Sequence, residues 1–285
     1  MTANMDTLVR GNGRLPRGFS AKRRAHDDGA HQNPRQRATL ILVARIGFIA
    51  FILGIWQFLS GRVVEDFLIS NPIDVSVKLF ELLGDPHMHH NILITGQELI
   101  LGWTLGSTAG AVVGWCIGAV KFLGEVLEPI IIAVNGIPKV ALAPMFLLWF
   151  GLGIGSKVAI ASMIVFFLVF NNVYSGMRNV PQPLVDVAKV MGASQAYIVR
   201  RVVLPSVSVP LFAALRAGVP MAMIGVIAAE FVSADEGLGH YSMAATQQFD
   251  SAGLFAAIVI IVAMVVVGSG IISFFQRRAL AWLKD

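Results

Sequence analysis

Charge is scarce in this 285-residue chain. Asp, Glu, Lys and Arg make up 14% of it and hydrophobic residues 56%, against about a quarter and about half in a soluble domain. That imbalance excludes an ordinary soluble fold and points to a membrane protein. Cysteine is nearly missing: Cys116 stands alone, so no internal disulfide can form, and its place in an apolar run predicts small-residue packing. No Ser/His/Asp set or pair of carboxylates converges in the apolar runs, so nothing supports catalysis and no enzyme is expected. A nucleotide loop is missing as well. Gly151 to Lys157, "GLGIGSK", lacks the G-x-x-x-x-G-K-[ST] spacing and follows an apolar run instead of a strand. It reads as a tight turn.

Long apolar runs are what the chain does have. A membrane-crossing helix needs about 20 mostly apolar residues, and six stretches qualify: 40–59, 97–120, 127–150, 158–177, 206–231 and 253–275. Residues 1–39 differ in kind. They carry eight bases against Asp6, Asp27 and Asp28, have no apolar period, and read as a disordered basic tail. The run after this tail is long and has no small-residue cleavage site, so it is expected to stay as an anchor. An even number of spans puts both termini on one side. With the tail in the cytosol, 17 of the 22 Lys and Arg fall on cytosolic segments and three outside, Arg62, Lys78 and Lys157. Positive-inside bias therefore predicts cytosolic N- and C-termini. The expected domain organisation is the tail, 1–39, and a transmembrane domain, 40–285, with a cytosolic loop at 180–205.

Several local features bear on function. Gly102, Gly106, Gly110, Gly114 and Gly118 recur every four residues, a flat groove for close helix approach. The groove serves packing within the subunit, which is the expectation, or an interface between subunits. The third run holds Pro138, Pro144, Asn135 and Lys139, interruptions that survive where backbone lines a wet path or packs on protein. Arg216 and Glu230 are ionisable groups in the fifth run and are path candidates by default; about 20 Å apart along a helix, they cannot pair. His87, His89 and His90 lack supporting carboxylates or cysteines and read as a polar loop, with no metal site. "NPIDVSVKLFELLGD", with apolar Val75, Leu79 and Leu82 and charges between, predicts a short interfacial helix, and "SADEGLGHYSMAATQQFD" a polar extracytoplasmic loop.

The polar stretch "DVAKVMGASQAYIVRRVVLP", Asp186 to Pro205, reads as a helical hairpin. Pro183 suits a helix start. Leu184, Val187, Ala188 and Met191 share one face at i, i+3, i+4 and i+7. Gly192 permits the left-handed turn that closes a helix, Ser194 caps a second one, and Pro205 is expected to end it. An apolar face is left exposed in the cytosol, where a partner or the bilayer surface must cover it.

This stretch resembles the "EAA" loop in permease subunits of ATP-binding cassette importers: Glu-Ala-Ala, three residues, Gly, nine residues, Ile, one residue, Leu-Pro. Asp186-Val187-Ala188, Gly192, Val202 and Leu204-Pro205 occupy those places, with Asp, Val and Val for Glu, Ala and Ile. The resemblance covers about 65–283 and is nearest the taurine, sulfonate and nitrate branch, through "IPKVALAPMFLLWFGLGIGSK", "NNVYSGMRNV" and "ALRAGVPMAMIGVIAAEFVSADEGLG". It implies an all-α fold of type I importer form with six transmembrane helices, in a bacterial inner membrane. It further implies a second copy of the chain, two cytosolic ATPase subunits that bind and hydrolyse ATP, and an extracytoplasmic solute-binding protein. No cofactor is expected in this chain. Asp186, Val187, Ala188, Met191, Gly192, Val202, Leu204 and Pro205 would form the ATPase-coupling surface, and Asn135, Lys139, Arg216 and Glu230 the path candidates. The solute would be small and anionic or heterocyclic. An ion-gradient-driven carrier or channel is the alternative; it calls for internal inverted repeats, and the sequence has none.

Overall fold

A computed structural model describes residues 34–63, 65–233 and 235–281, and it is all-α. The chain divides into two units, residues 1–55 and 56–285. The described part of the first is helical. Its helix, α1 (Pro34–Leu59), begins at a proline, a residue suited to the first turn because its missing N–H would find no partner there. The helix thus starts six residues before the expected boundary at 40. Residues 1–33, with most of the basic tail, lie outside the described residues.

The second unit opens with the last turn of α1. Trp56 Nε1 donates to the carbonyls of Ile69 and Ser70 at 3.3 and 3.2 Å, and its ring meets Phe255 at 5.1 Å. After α2 (Asp66–Ile69) comes α3 (Pro72–Gly84), where Asn71 caps the start by accepting from Asp74 N at 2.9 Å. Val75 and Leu82 are buried and Leu79 packs beside them, as the apolar period of this short helix predicts. The next helix, α4 (Pro86–Ala119), starts eleven residues ahead of the expected span. Asp85 accepts from His87 N at 2.9 Å and Pro86 occupies the first turn, so the signals that start a helix extend the apolar run backward. His87, His89 and His90 therefore belong to a helix and not to a loop.

The third run is broken. α5 (Lys121–Asn135) gives way to a 3-10 turn at Lys139–Leu142 and then α6 (Ala143–Phe150), with a 77° bend between the two parts. Pro138 stands at the break, where its ring keeps α5 from running on, and Pro144 lies in the first turn beyond it, where the missing N–H suits a new helix start. α7 (Ile154–Arg178) follows, then the hairpin helices α8 (Gln182–Val190) and α9 (Gln195–Ile198), α10 (Leu204–Ser233), α11 (Leu238–Gln247) and α12 (Ser251–Ala279). Among the described residues, five helices are long and apolar enough to cross a membrane, and the bent pair, taken as one span, makes six. The segment after α10 is not all loop, as expected, but contains α11. Its small residues Gly239, Ser242 and Ala245 are buried, which lets a polar-looking sequence pack.

The core lies among α4, α7 and α10. The five-glycine row explains the closeness of α4 and α7. A Cβ on Gly102 would sit 2.5 Å from Ala161 Cβ; on Gly110, 2.5 Å from the Phe166 carbonyl oxygen; on Gly114, 2.9 Å from that of Phe170; on Gly118, 2.6 Å from Met177 Cβ. Gly106 is as tight against the Ser162 carbonyl. All five glycines face α7 of the same chain, so the groove serves packing within the subunit. Cys116 lies off this seam and is exposed, contrary to the expectation of packing: it stands two residues from Gly114, on a different helix face.

Candidate functional site

The polar stretch folds as a helix, a corner and a second helix. Backbone geometry shows why Gly192 stands at the corner. It takes φ +79°, the left-handed region that costs residues with a Cβ about 1–2 kcal/mol. Its N–H donates to Lys189 O at 2.9 Å, and Ala193 N donates to Ala188 O at 2.9 Å, the two bonds of a Schellman closure. Ala188 thus supplies the carbonyl that fixes the corner. Ser194 Oγ accepts from Tyr197 N at 3.3 Å and caps α9. On α8, Val185 and Lys189 turn toward the bundle. Leu184, Val187 (58% exposed) and Met191 (81% exposed) are left uncovered, and Ala188 is half-buried between the two sides. Asp186 is exposed.

Pro205 does not end the second helix. The backbone widens into a π turn at Val199–Val203 and continues directly into α10. A π turn relieves the clash that a proline ring would otherwise make with the carbonyl four residues back. Val202 is half-buried in that turn, and Leu204 is exposed just after it. The hairpin is therefore joined to the α10 span without a loop.

The path candidates fall in different places. Asn135 and Asn171 exchange amide hydrogen bonds at 3.1 and 3.2 Å across α5 and α7. Lys139 Nζ donates to Asn135 O at 3.2 Å and lies 4.8 Å from the centre of the Phe167 ring, a cation–π distance. Among the described residues, no carboxylate lies within ion-pair distance of this ammonium. Asn171 and Phe167 gave no sign in the sequence beyond a polar or aromatic residue in an apolar run. Arg216 is exposed on α10 and does not join the group. Glu230 belongs to a separate cluster at the end of the bundle away from the hairpin.

That cluster is buried and polar. Glu230 accepts from Thr95 Oγ1 at 2.7 Å and from Gly239 N at 2.5 Å, while Leu238 N donates to Thr95 Oγ1 at 2.9 Å. Gly237 N donates to Asn91 Oδ1 at 2.9 Å. α4 and α10 are thereby fastened to the turn that leads into α11. Gly237 adopts φ +108° and faces the Glu230 carboxylate, a place with no room for a Cβ. Glu98 pairs with Lys157 at 3.1 Å. Lys157 is thus buried in the first turn of α7, not placed in an outer turn, because α7 begins at Ile154. Glu230 also lines a cavity of about 330 Å³ with Asp235, His240 and Gln247. In the adjoining α11, burial and then the Asp250 carboxylate push the Tyr241 phenol above its ordinary value.

Residues 106–281 match the family described as binding-protein-dependent transport system inner membrane component, and the chain belongs to that family. It is 30% identical over 240 residues to the formylaminopyrimidine transport permease protein of Halalkalibacterium halodurans, covering 83% of this chain and 94% of that one. A Bacillus subtilis permease assigned to aliphatic sulfonates is 27% identical over 82% of this chain and 85% of its own length. The nitrate import permease of Synechococcus elongatus is 27% identical over 88% and 91%. The chain is accordingly a permease component of an ABC transporter in the sulfonate- and nitrate-like branch, and not an enzyme. Membership implies an ATPase and a substrate-binding protein as partners, with ATP used by the former.

Proposed function

We propose that this chain forms half of the translocation path of an ATP-driven importer for a small anionic or heterocyclic solute. Its relatives are named for formylaminopyrimidine, aliphatic sulfonates and nitrate, a range consistent with that class. In this reading two copies pair in a bacterial inner membrane with both termini cytosolic. Two ATPase subunits dock below and a solute-binding protein docks above.

The observation that carries the coupling assignment is the uncovered apolar face of Leu184, Val187 and Met191, held on a helix whose end is fixed by Gly192. Such a face is costly in water and suits a groove on a partner. Asp186, Val202, Leu204 and Pro205 complete the surface or join it to α10. When the ATPase dimer closes, it draws the two hairpins together, and the loop-free connection into α10 carries that movement into the membrane. ATP and solute then bias one two-state element from separate sites. Lys139, steadied by Asn135 and Phe167 at the bend, supplies positive charge for an anionic solute, with Arg216 and Glu230 as further lining.

The test uses the permease reconstituted in proteoliposomes with its ATPase and binding protein. Gly192→Pro or Ala188→Asp should abolish solute-stimulated ATP hydrolysis while membrane insertion stays intact. Normal stimulation in either variant would remove the hairpin from the coupling role.

A further inference from the structure

Three cations share one cavity at the hairpin end of the bundle. Lys121 opens α5, Arg178 closes α7 and Lys189 lies in the last turn of α8. All three line a cavity of about 650 Å³, together with Gln182 and Gln195. No carboxylate lines it. Among the described residues, the ion pairs formed are Lys78 with Glu81 and Asp250, His90 with Glu236, and Lys157 with Glu98, so none of the three cavity cations is paired within 4.0 Å. All three are exposed to solvent, so water screens their mutual repulsion, and together they make a positive surface that attracts an anion.

The rest of the lining is apolar, through Met177, Val185 and Ile198 among others. A free inorganic anion would gain nothing from those side chains. Lys121 and Arg178 also mark the ends of two helical segments long and apolar enough to span a membrane, and the ends of such segments belong at headgroup depth. Basic pockets between spans at that depth suit anionic lipid headgroups. We propose that this cavity binds the phosphate of an anionic phospholipid, with its glycerol and upper acyl carbons against the apolar wall. Which leaflet supplies the lipid rests on the topology proposed above; the cavity and its charge do not. Because Val185 and Lys189 face the cavity while Leu184, Val187 and Met191 face away, the lipid would brace α8 from behind its docking face.

The test is native mass spectrometry of the full-length permease without its ATPase. The protein is titrated with phosphatidylglycerol, with phosphatidylcholine of the same chains, and with inorganic phosphate. The parent should retain one phosphatidylglycerol per chain at least tenfold more tightly than phosphatidylcholine. Lys121→Gln/Arg178→Gln/Lys189→Gln should lose that preference, each cation being worth roughly fivefold. Should the triple variant fail to fold, Arg178→Gln alone should lose about fivefold. Arg277→Gln/Arg278→Gln, which removes two charges from the last turn of α12 outside the cavity, should keep the preference.

An unchanged preference in the cavity variants overturns the proposal, as does an equal loss in the α12 variant. Inorganic phosphate bound as tightly as phosphatidylglycerol would make this a free-anion site instead. Displacement of the lipid when the ATPase is added would overturn it in favour of a protein carboxylate as the natural occupant. Lipid retention is read without ATP hydrolysis, so failure here and failure of the coupling assignment are separate results.

Discussion

Lys157 Nζ lies 3.1 Å from Glu98 Oε1, and the two side chains are 6% and 1% exposed. Removing one member of a buried pair leaves the other charged and without compensation, at a cost of about 3–5 kcal/mol. Lys157→Met should therefore lower the thermal stability of the purified protein sharply. Glu98→Gln/Lys157→Met should recover most of the loss. A single variant as stable as the parent would show that the pair contributes nothing to stability.

The glycine seam predicts a contrast between two substitutions. Gly110→Val must push apart α4 and α7, since even its Cβ would sit 2.5 Å from a carbonyl oxygen; overpacking of this kind costs about 1–3 kcal/mol or more. Gly270→Ala in α12 meets nothing within 4 Å and should be neutral. Size-exclusion profiles after graded heating separate the two. Equal behaviour would mean that the seam relaxes freely.

The Gly192 corner can be probed without proline. Asn tolerates positive φ better than other non-glycine residues, so Gly192→Asn should keep solute-stimulated ATP hydrolysis within about twofold. Gly192→Val, branched at Cβ and strained there, should lose most of it. Full stimulation in the valine variant would detach coupling from the corner's conformation.

At the bend, Lys139→Gln should raise the KM for uptake of an anionic solute by roughly tenfold or more, the scale of one hydrogen bond to a charged group. Lys139→Arg should recover part of it. Asn171→Ala, which removes the amide partner of Asn135, should weaken uptake in the same direction. Unchanged kinetics in all three would take the bend out of the path.

Glu230→Gln and Thr95→Val should loosen the turn before α11. Amide exchange at Leu238 and Gly239, whose N–H groups donate to Thr95 and Glu230, should quicken by roughly fivefold or more, since a lost buried bond costs about 1–3 kcal/mol. Unaltered exchange would show that the turn is held by other contacts.

What the sequence disclosed follows from how local each signal is. Periodicity and chain-breaking residues made the spans, α3 and the Gly192 corner legible, because neighbours within one turn decide them. Helix starts were less legible at α4 and α7: Asp85 with Pro86 extended one helix, and Ile154 started the other inside an apparent glycine turn. Pro205 misled because its effect depends on whether the preceding backbone can widen. The Glu98–Lys157 pair spans 59 positions, and only the rule that membrane-buried charges need partners hinted at it. Nothing local tied Thr95 or Asn171 to their partners, since those contacts exist only once α4, α7 and α10 are packed.

The five-glycine seam has a mechanical consequence. Two helices that touch through side chains can slide as rotamers change, but α4 and α7 touch through backbone, which has no rotamers to change. A one-residue slip would put side chains where carbonyl oxygens now stand. The pair should move only as a single beam, about 37 Å long by the rise of the 25 residues of α7. One end carries the cavity behind the hairpin and the other the Lys157 cluster, so a tilt at either end is felt at the other within one stroke. The hinge in such a machine must then lie elsewhere, and the 77° bend between α5 and α6 is the place where the backbone has already given way.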